Sequence, residues 1–274
     1  MAGKGIPYSL FSFPRFNKYM PSIELKDLSK TYAKKHLFHV SRTTGIENVS
    51  LSIERGEIFG LLGLNGAGKT TTIKLILGLL RPTSGSVMVE GAPAPSPAVL
   101  KQIGYLPEVA YFYKYLTAEE ILRFYGRLSE IERLDRRVDE LIDFVGLQSV
   151  RRKRLAEFSK GMLQRVGLAQ SLLHDPKILI YDEPVSGLDP LAIAEMRGLI
   201  SSLKASGKTV FLSSHLISEV EKVCDRVGIL ARGRLVKTIA QREWANSPGG
   251  LEKLFVSEVA DSAELGRMKI QALA

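Results

Sequence analysis

Eight consecutive residues, Gly63-Leu64-Asn65-Gly66-Ala67-Gly68-Lys69-Thr70, constrain the fold of this chain more than any other stretch. They fit the spacing G-x-x-x-x-G-K-S/T. The five residues before them, Ile58-Phe59-Gly60-Leu61-Leu62, are nearly all apolar, as expected of a strand buried on both faces. A helix is expected from about Lys69 to Leu80, stopped by Arg81-Pro82-Thr83-Ser84-Gly85. Between a buried strand and a helix, glycines let the backbone turn its N–H groups toward phosphate oxygens without Cβ clashes. The helix presents its positive end to the same anion. Lys69 is placed to reach β- and γ-phosphates, and Thr70 to ligate Mg2+. Gly63, Asn65, Gly66, Gly68 and Thr71 complete the candidate ATP contacts of this stretch.

The rest of the chain alternates strands with helices, which predicts an α/β fold, a mainly parallel sheet with helices on both faces. Short strands are expected from Ile23 and Leu25 onward, at Val87 to Glu90, Lys177 to Tyr181 and Thr209 to Ser213. Helices are expected after Ser159 and after Pro190. Residues 101–158 read as mostly helical, with a capping box at Thr117-Ala118-Glu119-Glu120. Ser247-Pro248-Gly249-Gly250 closes the core and leaves a short tail over residues 241–274. Residues 1–21 carry five aromatics broken by Pro7, Pro14 and Pro21, and are expected to be an extension to a domain spanning 22–240.

The one cysteine, Cys224, excludes an internal disulfide framework. No stretch approaches the roughly 18 uncharged apolar residues that span a bilayer. The net charge is +9, and residues 1–45 carry eight Lys or Arg against Glu24 and Asp27. That excess reads either as a solvated surface or as contact with an anionic membrane or acidic partner. Arg151-Arg152-Lys153-Arg154 invites a nucleic-acid reading, but residues 101–160 hold twelve basic and ten acidic residues. No nucleic-acid partner is therefore expected.

A second chemical element is Ile178-Leu179-Ile180-Tyr181-Asp182-Glu183, an apolar strand ending in two carboxylates. At a strand's end both side chains can face the adjoining loop. Asp182 suits Mg2+, and Glu183 suits activation of an attacking water. No N-K-x-D guanine-reading motif is present, which disfavours GTP.

Together with these two elements, Phe158-Ser159-Lys160-Gly161-Met162 followed by Gln164-Arg165 resembles the signature segment of ATP-binding-cassette (ABC) transporter ATPases. Ser186-Gly187-Leu188-Asp189 resembles their loop at the dimer interface, and Ser213-Ser214-His215 their switch-histidine segment. The likeness covers about Ile23 to Val236. It implies a P-loop fold with a small antiparallel β subdomain and an inserted helical subdomain. It also implies a head-to-tail dimer, as a homodimer or with a second cassette ATPase. ATP would then lie between Lys69 of one copy and Ser159 and Gly161 of the other, with Asp189 at the interface and His215 and Glu183 in catalysis. Tyr32 stands where the family stacks an aromatic on adenine, with His36 and Phe38 as competitors. Glu108 replaces the usual magnesium-sensing glutamine, as in many export-type members, and is the third candidate metal ligand.

The likeness further implies a separate transmembrane permease and a place on the cytoplasmic face of the membrane. Tyr111, Phe112, Tyr113 and Tyr115 lie where the permease docks, and suit lobe packing equally well. The alternative is a soluble ABC ATPase of DNA repair, translation or cofactor assembly, though such chains often carry two cassettes or a long coiled coil.

Overall fold

The structure, a computed structural model, describes residues 20–36 and 39–271, without the side chains of residues 34–36, 39–40 and 261–271. The expected extension, up to residue 19, lies outside the described residues. In chain order the strands are β1 (Ile23–His36), β2 (His39–Ile53), β3 (Ile58–Leu62), β4 (Ser84–Val89), β5 (Ala92–Pro93), β6 (Ile103–Leu106), β7 (Ile178–Asp182), β8 (Thr209–Ser214), β9 (Arg226–Ala231) and β10 (Arg234–Ala240). The helices are α1 (Lys69–Ile76), α2 (Pro97–Leu100), α3 (Ala118–Leu128), α4 (Leu134–Phe144), α5 (Lys160–Ser171), α6 (Pro190–Ala205), α7 (Ile217–Val223), α8 (Gln241–Ala245) and α9 (Gly250–Gln271).

The chain forms two compact units, one over Lys101–Val210 and the other over Met20–Leu100 together with the chain from Phe211 onward. In the latter, β2-β1-β4-β5 make an antiparallel sheet. A second sheet is built on β3, which pairs parallel with β9, while β10 closes that edge antiparallel to β9. All five residues of β3 are buried, the expected consequence of an all-apolar central strand. In the Lys101–Val210 unit β6 and β7 run parallel, with Tyr105 opposite Ile180 and Leu106 opposite Tyr181. Thr117 accepts from the Glu120 N–H while the Glu120 carboxylate accepts from the Thr117 N–H, so the expected capping box forms.

Three boundaries differ from the sequence reading. The helix after the glycine loop ends at Ile76, because Gly78 takes a left-handed φ of 69° and packs against Pro95. β7 runs one residue further, so Asp182 belongs to the strand and Glu183 comes just after it. The C-terminal segment is no bare tail. Leu251, Phe255 and Trp244 are buried, α9 runs for 22 residues, and the Leu251 N–H is held by the Glu221 carboxylate at 3.0 Å.

Candidate active site

The glycine loop is fixed by backbone approaches that only glycine permits. A Cβ on Gly63 would stand 2.5 Å from the Leu230 carbonyl oxygen, and one on Gly68, with φ +110°, 2.6 Å from that of Gly45. The loop is also stitched from outside: the Gly63 N–H donates to the Ser214 carbonyl at 3.4 Å and the Gly233 N–H to that of Ala67 at 2.9 Å. Lys69 opens α1 and is 6% exposed; its ammonium donates to the Gly63 carbonyl at 2.7 Å and the Leu64 carbonyl at 3.4 Å. The side chain therefore folds back over its own loop. Thr70 and Thr71 come next in the first turn of α1, both half-buried, and Thr72 is buried.

Tyr32 on β1 reaches this helix. Its hydroxyl lies 3.1 Å from that of Thr71, and the Lys30 ammonium sits 5.6 Å from the ring centroid, within cation–π range. The ring rests against Gly45, whose hypothetical Cβ would fall 2.6 Å from it. Sequence reasoning missed Gly45, which belongs to no motif. Of the competing aromatics, the side chain of His36 and all of Phe38 lie outside the described residues. His215 is exposed just beyond β8, next to the Ser214 that bonds Gly63.

The Lys101–Val210 unit carries the carboxylates. Asp182 is 2% exposed at the end of β7 and Glu183 is 6% exposed. Glu183 adopts a left-handed φ of 48°, a conformation that costs a non-glycine residue about 1 kcal/mol and clusters at functional sites. The turn it enters is closed by the Ser186 N–H donating to the Glu183 carbonyl at 3.1 Å. Asp189 then caps α6, accepting from the Ala192 N–H at 2.9 Å, with Pro190 at the first helical position.

Ser159 caps α5, accepting from the Met162 N–H at 3.2 Å. The α5 start and the 186–189 loop are packed together: a Cβ on Gly161 would meet that of Ala192 at 3.0 Å, and one on Gly187 the Lys160 ammonium at 2.5 Å. Arg165 of α5 pairs with Glu195 of α6. At this place Ser159, Gly187 and Asp189 are exposed, Gly161 is buried against Ala192, and Leu191 beside them is 70% exposed. Glu108 is exposed in the loop after β6. Tyr111, Tyr113 and Tyr115 are exposed as well, and the rings of Tyr113 and Tyr115 lie 5.8 Å apart.

A buried strand, a glycine loop of spacing G-x-x-x-x-G-K-T and a helix opened by lysine define a P-loop nucleotide-binding protein of the α/β class. The protein-family model described as ABC transporter matches residues 46–186. The chain is 45% identical over 229 residues to an uncharacterised ABC transporter ATP-binding protein of Nostoc sp., covering 82% of this chain and 68% of that one. It is 42% identical over 220 residues to a bacitracin transport ATP-binding protein of Bacillus licheniformis, covering 79% and 69%. With a lantibiotic transport ATP-binding protein of Streptococcus pyogenes the identity is 36% over 237 residues, covering 86% and 97%. A solved ATP-binding subunit of an ABC transporter superposes with a TM-score of 0.72 at 34% identity, over 86% of this chain and 98% of the other. The chain spans about two thirds of the length of the Nostoc and Bacillus relatives. This protein belongs to the ABC transporter family as one of its ATP-binding subunits, and it is an ATPase.

Proposed function

We propose that this subunit powers an exporter by closing head-to-tail on a second cassette around ATP. The observation that carries this reading is the exposed patch of Ser159, Gly187 and Asp189, at or near the N-termini of α5 and α6, with Gly161 buried beside them. Helix N-termini favour anions, so a surface that presents Ser159 at such an end suits the γ-phosphate held by another copy. The relatives named for bacitracin and lantibiotic transport, together with Glu108 and Lys160-Gly161-Met162, support the export branch.

In this reading Lys69 and the N–H groups of residues 63–70 hold the phosphates, Tyr32 stacks on adenine and Thr71 steadies Tyr32. Glu183 takes a proton from the attacking water, and His215 holds the γ-phosphate end of the nucleotide. The Thr70 hydroxyl and the carboxylates of Asp182 and Glu108 are hard oxygen donors and fit Mg2+. When bound, that ion offsets the charge of the phosphates. No helix among the described residues is long and apolar enough to cross a membrane. In this reading the transport path belongs to a separate permease on whose cytoplasmic side this subunit sits, with the Tyr111, Tyr113 and Tyr115 surface as its docking face.

Glu183→Gln tests the assignment. It should keep ATP affinity, cut turnover by roughly 10²-fold, the range for losing a general base, and trap an ATP-bound dimer visible by light scattering. Near-normal hydrolysis by the purified variant would remove Glu183 from the chemistry. A variant that binds ATP yet remains monomeric would remove the dimer.

A further inference from the structure

The helix that presents Ser159 at its start is gripped at its other end by an arginine that belongs to no motif. α5 ends at Ser171, with Leu172 as its cap. The Arg137 guanidinium, near the start of α4, donates to the Leu172 carbonyl at 2.6 Å and to the Leu173 carbonyl at 3.2 Å. The Arg137 side chain is 13% exposed, so these bonds are made largely out of water. The C-terminal end of a helix favours a cation, and a planar guanidinium bound to two carbonyls fixes direction as well as distance.

The turn beyond α5 is held as firmly. Asp175, at a left-handed φ of 50°, accepts from the buried Lys208 ammonium and lies 3.9 Å from Arg137. Lys208 also donates to the Pro176 carbonyl at 2.7 Å. At the opposite end of α4, Arg165 from the middle of α5 donates to the carbonyl of Val145, the α4 cap, at 3.5 Å. The two helices are therefore joined at both ends of α4.

Two joints set the direction of a helix, where one leaves it free to pivot. Apolar packing along α4 and α5 adds stability without direction. If Arg165 were the remaining polar joint, Ser159 would lie six residues away, or about 9 Å along the helix. A tilt of roughly 6° then moves Ser159 by about 1 Å, and a misplacement of that size can cost on the order of 10²-fold in rate.

We propose that Arg137 is a positioning residue for the shared ATP site, holding the far end of α5 so that Ser159 meets the γ-phosphate bound by the other copy. The proposal rests on the head-to-tail reading above. It makes Arg137 matter in the copy that supplies Ser159 and not in the copy that supplies Lys69.

The test mixes two full-length chains, one carrying Lys69→Ala and the other Ser159→Arg. Neither should hydrolyse ATP alone. The mixed dimer keeps one intact site, built from Lys69 of the Ser159→Arg chain and Ser159 of the Lys69→Ala chain. Arg137→Met, which keeps an aliphatic stem without the donors, is then added to one chain at a time. In the Lys69→Ala chain it should lower turnover of the mixture by about tenfold or more. In the Ser159→Arg chain it should leave turnover, and the affinity of that chain for ATP, unchanged.

A general loss of folding would act from either chain. Equal losses in both placements, or no loss in either, would overturn the role of Arg137 while the shared site stands. A mixture that stays inactive without any change at Arg137 would overturn the head-to-tail reading and the proposal with it. Should Arg137→Met fail to fold, Arg137→Lys keeps the charge and loses the fork. It should show the same dependence on placement with a smaller loss, and equal effects from both chains would again overturn the proposal.

Discussion

Gly45→Ala tests the adenine platform through a residue that touches no nucleotide. The added Cβ would stand 2.6 Å from Tyr32 Cε2, 3.1 Å from Thr71 Cγ2 and 3.3 Å from the Lys30 carbonyl oxygen. Carbon atoms pack at about 3.5 Å or more, so the ring must retreat by roughly 1 Å. Its hydroxyl now lies 3.1 Å from that of Thr71, so a retreat of that size breaks the bond. Overpacking of this kind costs typically about 1–3 kcal/mol of stability, and the lost hydrogen bond adds about 1 kcal/mol. The functional effect is narrower, because the glycine loop and Lys69 are untouched. Aromatic stacking is worth about 0.5–1.5 kcal/mol, so ATP should bind roughly threefold to tenfold more weakly. Tripolyphosphate, which carries the phosphates without the base, should bind as before. Isothermal titration of both ligands against the wild type and the variant measures the difference. Equal weakening for both ligands would show that the disturbance reaches the phosphate loop. Unchanged ATP affinity would show that Tyr32 does not carry the base.

Two further perturbations bear on the scaffold. Leu251→Ala, at a fully buried position of α9, should lower stability by about 2–5 kcal/mol in a denaturant titration, whereas a merely dangling C-terminal segment would tolerate it. Burial holds the His174 imidazole below its usual range, against a smaller opposing push from its bond to the Ile103 carbonyl at 3.1 Å. The folded pKa is below the unfolded one, so the unfolded chain binds more protons between them, and stability rises with pH through that window and levels off above about 6.5. Melting temperatures measured from about pH 5 to about pH 7.5 should fall on the acid side. They should fall less steeply in His174→Gln, and equal slopes would show that His174 contributes nothing.

Legibility in the sequence tracked how local each constraint is. Residues 63–70 announce themselves because the left-handed φ of Gly66 and Gly68 and the start of α1 fall at a fixed spacing in one short segment, even though the atoms that forbid a Cβ on Gly63 and Gly68 belong to the distant Leu230 and Gly45. Thr117 was readable as a helix cap because a cap's partner N–H is three residues away, a spacing that Ser159 and Asp189 also keep in the structure. Gly45 and Gly104 obey the same steric rule as the loop glycines, with Tyr32, thirteen residues earlier, and Ser171, sixty-seven later, in the way of a Cβ, but they stand in no motif that announces it. No spacing rule records such a demand. α9 was missed for a related reason. Ser247-Pro248-Gly249-Gly250 is a genuine break, yet the helix beyond it is held by Glu221 and by Lys237, which pairs with Glu258 at 2.6 Å, both distant in sequence. Local glycines therefore reveal where a ligand or a turn comes close, and the silent ones mark where two elements meet. In this chain Gly45 seats the Tyr32 ring between β1 and α1, and Gly104 lets β6 lie against the Ser171 carbonyl of α5.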